Sequence, residues 1–151
     1  MAWVAGAPHE LEPLGRVRQD FAVSQLLARA LERYMIGGHL DAHLEELRGV
    51  YRRKRDITAA ALAEHCSDGV RFRVPGGGFY FWLELLDAVD WDRARELAAA
   101  RGIACRPGDS FVDDDSGRRF LRLSPIQVPD ADIEPGIAAL GAALAEAARA
   151  E

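Results

Sequence analysis

Apolar and polar positions change their period several times along this chain, and each change marks an element. Met1 to Pro8 opens as a short apolar, strand-like stretch ended by proline. From Leu11 to Met35 apolar residues fall at Leu14, Val17, Phe21, Leu26, Ala30 and Tyr34, which predicts a helix with one slip near Val23. Gly37 and Gly38 stop it. A clearer helix follows from Leu40 to Cys66, with Leu40, Leu44, Leu47, Tyr51, Thr58 and Ala61 on one face. Beyond Asp68-Gly69 the period becomes extended. Val70 to Val74 alternates apolar and basic residues, with Arg71 and Arg73 outward, and Phe79 to Leu86 reads as a more deeply buried aromatic strand.

The second half repeats the change of period. Trp91 to Arg101 predicts a helix capped by Asp90 and ended by Gly102. Ile103 to Cys105 is expected as a short strand, Pro107-Gly108-Asp109 as a turn, and Asp113 to Gly117 as a polar loop tip. Phe120 to Ser124 alternates as a strand, which sets Arg122 on the face opposite Leu121 and Leu123. The last helix starts near Asp130 and carries Ile133, Ile137, Leu140 and Leu144 on one stripe, with Pro135 expected to weaken or bend it. Helix, helix, strand, strand, helix, strand, strand, helix is an α+β order: a small mixed or antiparallel sheet with helices packed on one side. No internal repeat or linker divides it.

Composition narrows the chemistry. The 151 residues carry a net charge of −5, which argues against a nucleic-acid binder working by charge alone. No apolar run approaches the roughly 20 residues that span a bilayer, and the N-terminus lacks the order of a signal peptide, so a cytoplasmic protein without membrane partners is expected. Cys66 and Cys105 lack CxxC spacing and are expected as buried thiols. Of the 19 cationic residues, 18 are arginine and Lys54 is the only lysine. A Schiff base to a carbonyl substrate or to pyridoxal phosphate needs a lysine, so Lys54 alone could make one.

Three segments together resemble one family. They are His43 to Leu62 (HLEELRGVYRRKRDITAAAL), Pro75 to Leu85 (PGGGFYFWLEL), and the run from Pro107 (PGDSF) through Phe120 (FLRLS) to Ile133 (IEPGIAALGAAL). Their order and spacing are similar to those of the fold-type I, class I/II pyridoxal-phosphate-dependent aminotransferases, nearest the branch of 2-aminoadipate aminotransferases and aminotransferase-domain regulators. The resemblance implies that Arg122 binds a substrate α-carboxylate, and Tyr80 and Phe111 are further candidate substrate-binding residues. A planar guanidinium making two parallel charge-assisted bonds suits that task. It also implies that residues 1–12 are a trailing strand and connection from the end of a large domain, and residues 13–151 a small domain. The cofactor lysine, the phosphate-binding arginine and the acid that pairs the pyridinium nitrogen would then lie upstream of Met1.

The resemblance therefore implies the substrate-closing part of an aminotransferase (a transferase), with pyridoxal phosphate in the full enzyme, no cofactor or catalytic residue in this chain alone, and no transamination on its own. Its partners would be an amino acid or other small carboxylate, and a large-domain chain or a second copy. Two other readings stand beside it. One is a natural truncated homologue acting as a binding or dimerising module; the other is a cofactor-independent enzyme reusing a pocket of Tyr80, Trp82 and Arg122. Lys54 sits in an Arg52-Arg53-Lys54-Arg55 run and is expected as a surface lysine whose stem lies along an apolar stripe. His39 and His43 have helical metal spacing without an evident third ligand, so no metal is expected. Asp109 and Ser110 are expected as turn residues.

Overall fold

The computed structural model describes residues 4–17, 23–112 and 115–148. These fall into two compact units, residues 1–46 and 47–151.

In the first unit α1 (Pro8–Val17) and α2 (Gln25–Ile36) replace the single expected helix, and residues 18–22 between them lie outside the described ones. Ser24 separates them because its hydroxyl caps α2, accepting from the Leu27 amide at 3.5 Å. Gly38 then takes a left-handed turn at φ 73° and α3 (His39–His65) begins. Neither α1 nor α2 has a buried residue. Of the expected first strand, residues 1–3 lie outside the described residues, and Val4 to Ala7 are irregular.

The second unit is built on a four-stranded sheet in the order β1-β2-β4-β3, every pairing antiparallel. Its strands are β1 (Val70–Phe72), β2 (Phe81–Leu85), β3 (Arg106–Pro107) and β4 (Phe120–Leu123). Alternation sends Val70, Phe81, Leu83, Leu85, Leu121 and Leu123 to one face, where all are buried. Three helices cover that face: the later turns of α3 through Thr58, Ala61 and Leu62, α4 (Trp91–Ala100) through Ala94 and Ala98, and α5 (Asp130–Glu146) through the expected stripe. Each fully buried leucine contributes roughly 1.5–3 kcal/mol. The chain is thus α+β with an antiparallel sheet and helices on one side. No helix among the described residues is long and apolar enough to cross a membrane.

Three local outcomes differ from the sequence pattern or refine it. The strand expected at Ile103–Cys105 forms instead at Arg106–Pro107. The Ile103 amide still bonds the Ala98 carbonyl at 2.9 Å, so these residues finish the turn after α4 before pairing starts. Pro107 has no N–H to donate, which suits an edge strand and ends it. Pro135 does not interrupt α5. Asp90 caps α4 as expected, accepting from the Arg93 amide at 3.1 Å.

Candidate functional site

The sheet face away from the helices carries the chemistry. Residues directly opposite in an antiparallel ladder share a face. Trp82 is opposite Arg122, Arg106 is also opposite Arg122, and Glu84 lies opposite both Arg71 and Phe120. Arg122 therefore projects from β4 into a row of aromatic and cationic groups.

Its guanidinium is held between two rings. The central carbon lies 4.0 Å from the Tyr80 ring centre and 4.0 Å from the Phe111 ring centre. Trp82 closes the cluster, edge-on to Phe111 at 6.0 Å and stacked on Phe120 at 5.5 Å with an interplanar angle of 20°. Each cation–π contact at such a half-exposed site is worth about 0.5–1 kcal/mol. The guanidinium lies against two rings, and no ion pair engages its N–H donors among the described residues. An edge with parallel N–H donors matches a carboxylate. The structure thus brings together Arg122, Tyr80 and Phe111 from three separate stretches of sequence.

Phe111 reaches this place through a folded loop. Gly108–Phe111 and Asp115–Arg119 form two short 3-10 turns packed backbone to backbone. A Cβ on Gly108 would lie 2.5 Å from the Gly117 carbonyl oxygen, and one on Gly117 would lie 2.6 Å from the Asp109 amide nitrogen. Only glycines allow that approach. Asp109 and Ser110 belong to the first turn and are exposed. The other end of the cradle is tied by Ser124, whose hydroxyl donates to the Phe79 carbonyl at 3.1 Å, next to Tyr80.

Lys54 is not the surface lysine expected. It is buried, and its amine donates to the Val128 carbonyl and to Asp130 Oδ1 at 2.8 Å, while Arg53 Nε donates to Asp130 Oδ2 at 2.7 Å. The hydrogen bonds from Lys54 and then Arg53 hold the Asp130 carboxyl below its ordinary value of 3.8. Asp130 lies 76 residues from Lys54, so no local pattern foretells the pair. Lys54 is thereby tied to the segment joining β4 to α5. An amine so engaged, outside the Arg122 cradle, does not fit the covalent attachment of pyridoxal phosphate.

The remaining candidates are dispersed. Cys66 is buried with its thiol 3.7 Å from the Ile137 carbonyl, and burial, helped by the charge of Cys105, pushes it up to about 11. Cys105 is half-buried, and burial also pushes it up to about 11. His39 sets its ring 5.6 Å from that of Tyr34, and no group of three metal-ligating side chains occurs among the described residues.

Comparison with known proteins supplies the family. Residues 1–140 match the family described as aminotransferase class I and II. The chain belongs to that family. Aromatic-amino-acid aminotransferase 1 of Thermococcus litoralis is 30% identical over 148 residues, covering 97% of this chain and 36% of that protein. The 2-aminoadipate transaminase of Thermus thermophilus is 28% identical over 145 residues, covering 95% of this chain and again 36% of the relative. Among solved structures, the kynurenine aminotransferase of Pyrococcus horikoshii superposes with a TM-score of 0.72 at 33% identity, over 78% of this chain and 29% of that one. This chain therefore spans about a third of the length of the curated relatives it matches. The family is pyridoxal-phosphate-dependent.

Proposed function

We propose that this chain supplies the substrate-carboxylate-binding, closing part of an amino acid aminotransferase and does not transaminate on its own. Arg122 takes the α-carboxylate along its open edge. Tyr80 and Phe111 hold the guanidinium flat and reduce the conformational freedom it loses on binding. The observation that carries this reading is the arginine set over two rings with no acid paired to it among the described residues. The engaged amine of Lys54 supports the second half, because it offers no accessible nucleophile for a Schiff base.

The test is a titration of the 151-residue chain with butyrate, followed by backbone and side-chain NMR shifts. Saturable shifts at Arg122, Tyr80 and Phe111 that vanish in Arg122→Gln support the reading. Shifts that persist in the variant contradict it. A stable aldimine absorbance on mixing with pyridoxal phosphate, abolished by Lys54→Ala, would contradict the second half.

A second reading, docking to a large-domain chain or to a second copy, has its own observation. Leu14, Val17, Leu26, Leu27, Met35 and Ile36 are more than half exposed on α1 and α2, and neither helix has a buried residue. Exposed apolar area on that scale marks an interaction surface. Sedimentation at micromolar concentration tests the self-association arm: a dimer that Leu26→Glu dissociates supports it, and a monomer removes it.

A further inference from the structure

Of the three residues of the cradle, Arg122 lies within β4 and Phe111 in a 3-10 turn packed against its neighbour, but Tyr80 stands outside any helix or strand. The ladder of β2 with β4 ends at Phe81 and Leu123, so Tyr80 is one residue beyond the last pair and comes level with Ser124. Before Phe79 runs Gly76-Gly77-Gly78, where a Cβ would meet nothing within 4 Å, and Gly78 turns at φ 84°. Packing therefore does little to place this stretch, and a run of glycines has many conformations open to it. Phe79, between the glycines and Tyr80, is held from two sides. Its carbonyl accepts from the Ser124 hydroxyl at 3.1 Å, and its ring meets that of Tyr51 on α3 edge-on at 5.2 Å.

We propose that Ser124 is a positioning residue for the carboxylate site: its hydroxyl fixes Phe79 and so keeps the Tyr80 ring beside the Arg122 guanidinium. This rests on the reading of Arg122 as a carboxylate site. Ser124 acts through Tyr80 and not by touching the ligand. It stands two residues after Arg122, so strand alternation sets both on the same side of the sheet. Phe79 is 45% exposed, so water takes the place of the hydroxyl on its carbonyl when that hydroxyl is removed, and global stability changes little. The site is more sensitive than the fold. An unmoored Tyr80 leaves the guanidinium with more freedom to lose when a carboxylate binds.

The experiment removes the hydroxyl alone and follows the 151-residue chain by NMR. Without ligand, the Arg122 Nε–H proton senses the ring current of Tyr80. Ser124→Ala should move that resonance toward its position in Tyr80→Leu, and Ser124→Thr, which keeps a hydroxyl, should return it. Butyrate affinity should fall about two- to fivefold in Ser124→Ala, the range of one exposed cation–π contact, and recover in Ser124→Thr. In a Tyr80→Leu background Ser124→Ala should lower affinity no further, because both changes remove the same contact. An Arg122 resonance that stays in place in Ser124→Ala would overturn the inference, as would an equal loss of affinity in both backgrounds. A large fall in Tm with loss of amide protection in β2 and β4 would overturn it too, since the role would then be structural. If butyrate moves no Arg122 resonance in the native chain, the reading of Arg122 falls and the effect on binding with it, while the ligand-free resonance still reads whether Ser124 holds Tyr80.

Discussion

Lys54 and Asp130, 76 residues apart, are joined by a 2.8 Å ion pair that ties the middle of α3 to the first turn of α5. The carboxylate also lies where a helix N-terminus favours negative charge. Replacing the lysine by methionine keeps the stem and removes the charge, leaving Asp130 to Arg53 and the Val128 carbonyl without its donor. A fall of several degrees in Tm is expected for Lys54→Met by calorimetry.

The same pair sets a pH dependence. The Asp130 carboxyl is held below 3.8 by Lys54 and Arg53. A carboxyl depressed in the folded state contributes stability that is fully present above its unfolded value and is lost as pH falls through the folded one. The difference in urea midpoint between the native chain and Asp130→Asn should be constant from neutral pH down to about 5 and shrink below 3.8. A difference that grows on acidification would reverse the assignment.

Gly141 tests the packing of α5 on α3. A Cβ there would meet the His65 carbonyl oxygen at 2.1 Å, so the helices touch backbone to backbone. Gly141→Ala should cost about 1–3 kcal/mol in urea unfolding, despite alanine's better helix propensity. Gly49→Ala on α3, where a Cβ meets nothing within 4 Å, should be neutral or stabilising.

The two thiols should be inert in the folded chain. With both pushed up to about 11, roughly one thiolate in a thousand is present at pH 8. Reaction with a disulfide reagent should be slow and accelerate in urea in step with unfolding. Fast labelling of either cysteine in the native state would contradict the burial.

Most of the second unit was legible because its elements bury one face each. The stripe of Ile133, Ile137, Leu140 and Leu144, and the alternation around Leu83 and Leu121, are periodic signals that survive folding unchanged. The split between α1 and α2 was less so, since the Ser24 cap stands beside apolar residues that continue a helical period. The position of β3 depended on where the turn after α4 ends, a matter of one backbone bond from Ile103 to Ala98. The resemblance offered Arg122, with Tyr80 and Phe111 as further candidates, but only the tertiary arrangement sets both rings 4.0 Å from one guanidinium. Gly108 and Gly117 gave no sign of their role, because a close approach between two loop backbones leaves no periodic trace. Lys54 misled for a related reason: the acid that buries it lies on another helix.

Gly117 follows from that arrangement. Adding a methyl group there would push apart the two 3-10 turns that carry Phe111. Gly117→Ala should weaken butyrate binding severalfold while leaving the amide exchange of β2 and β4 unchanged. A variant that binds as the native chain does would mean that Phe111 is not needed to hold Arg122.

We propose that Arg122 reads a carboxylate through its open edge, and the butyrate titration repeated with Arg122→Lys tests this most directly. Lysine keeps the positive charge and loses the planar pair of donors. Native shifts at Tyr80 and Phe111 should saturate, and affinity should fall about tenfold or more in the lysine variant. Equal affinity in the two proteins would show that charge alone attracts the ligand, and would contradict it.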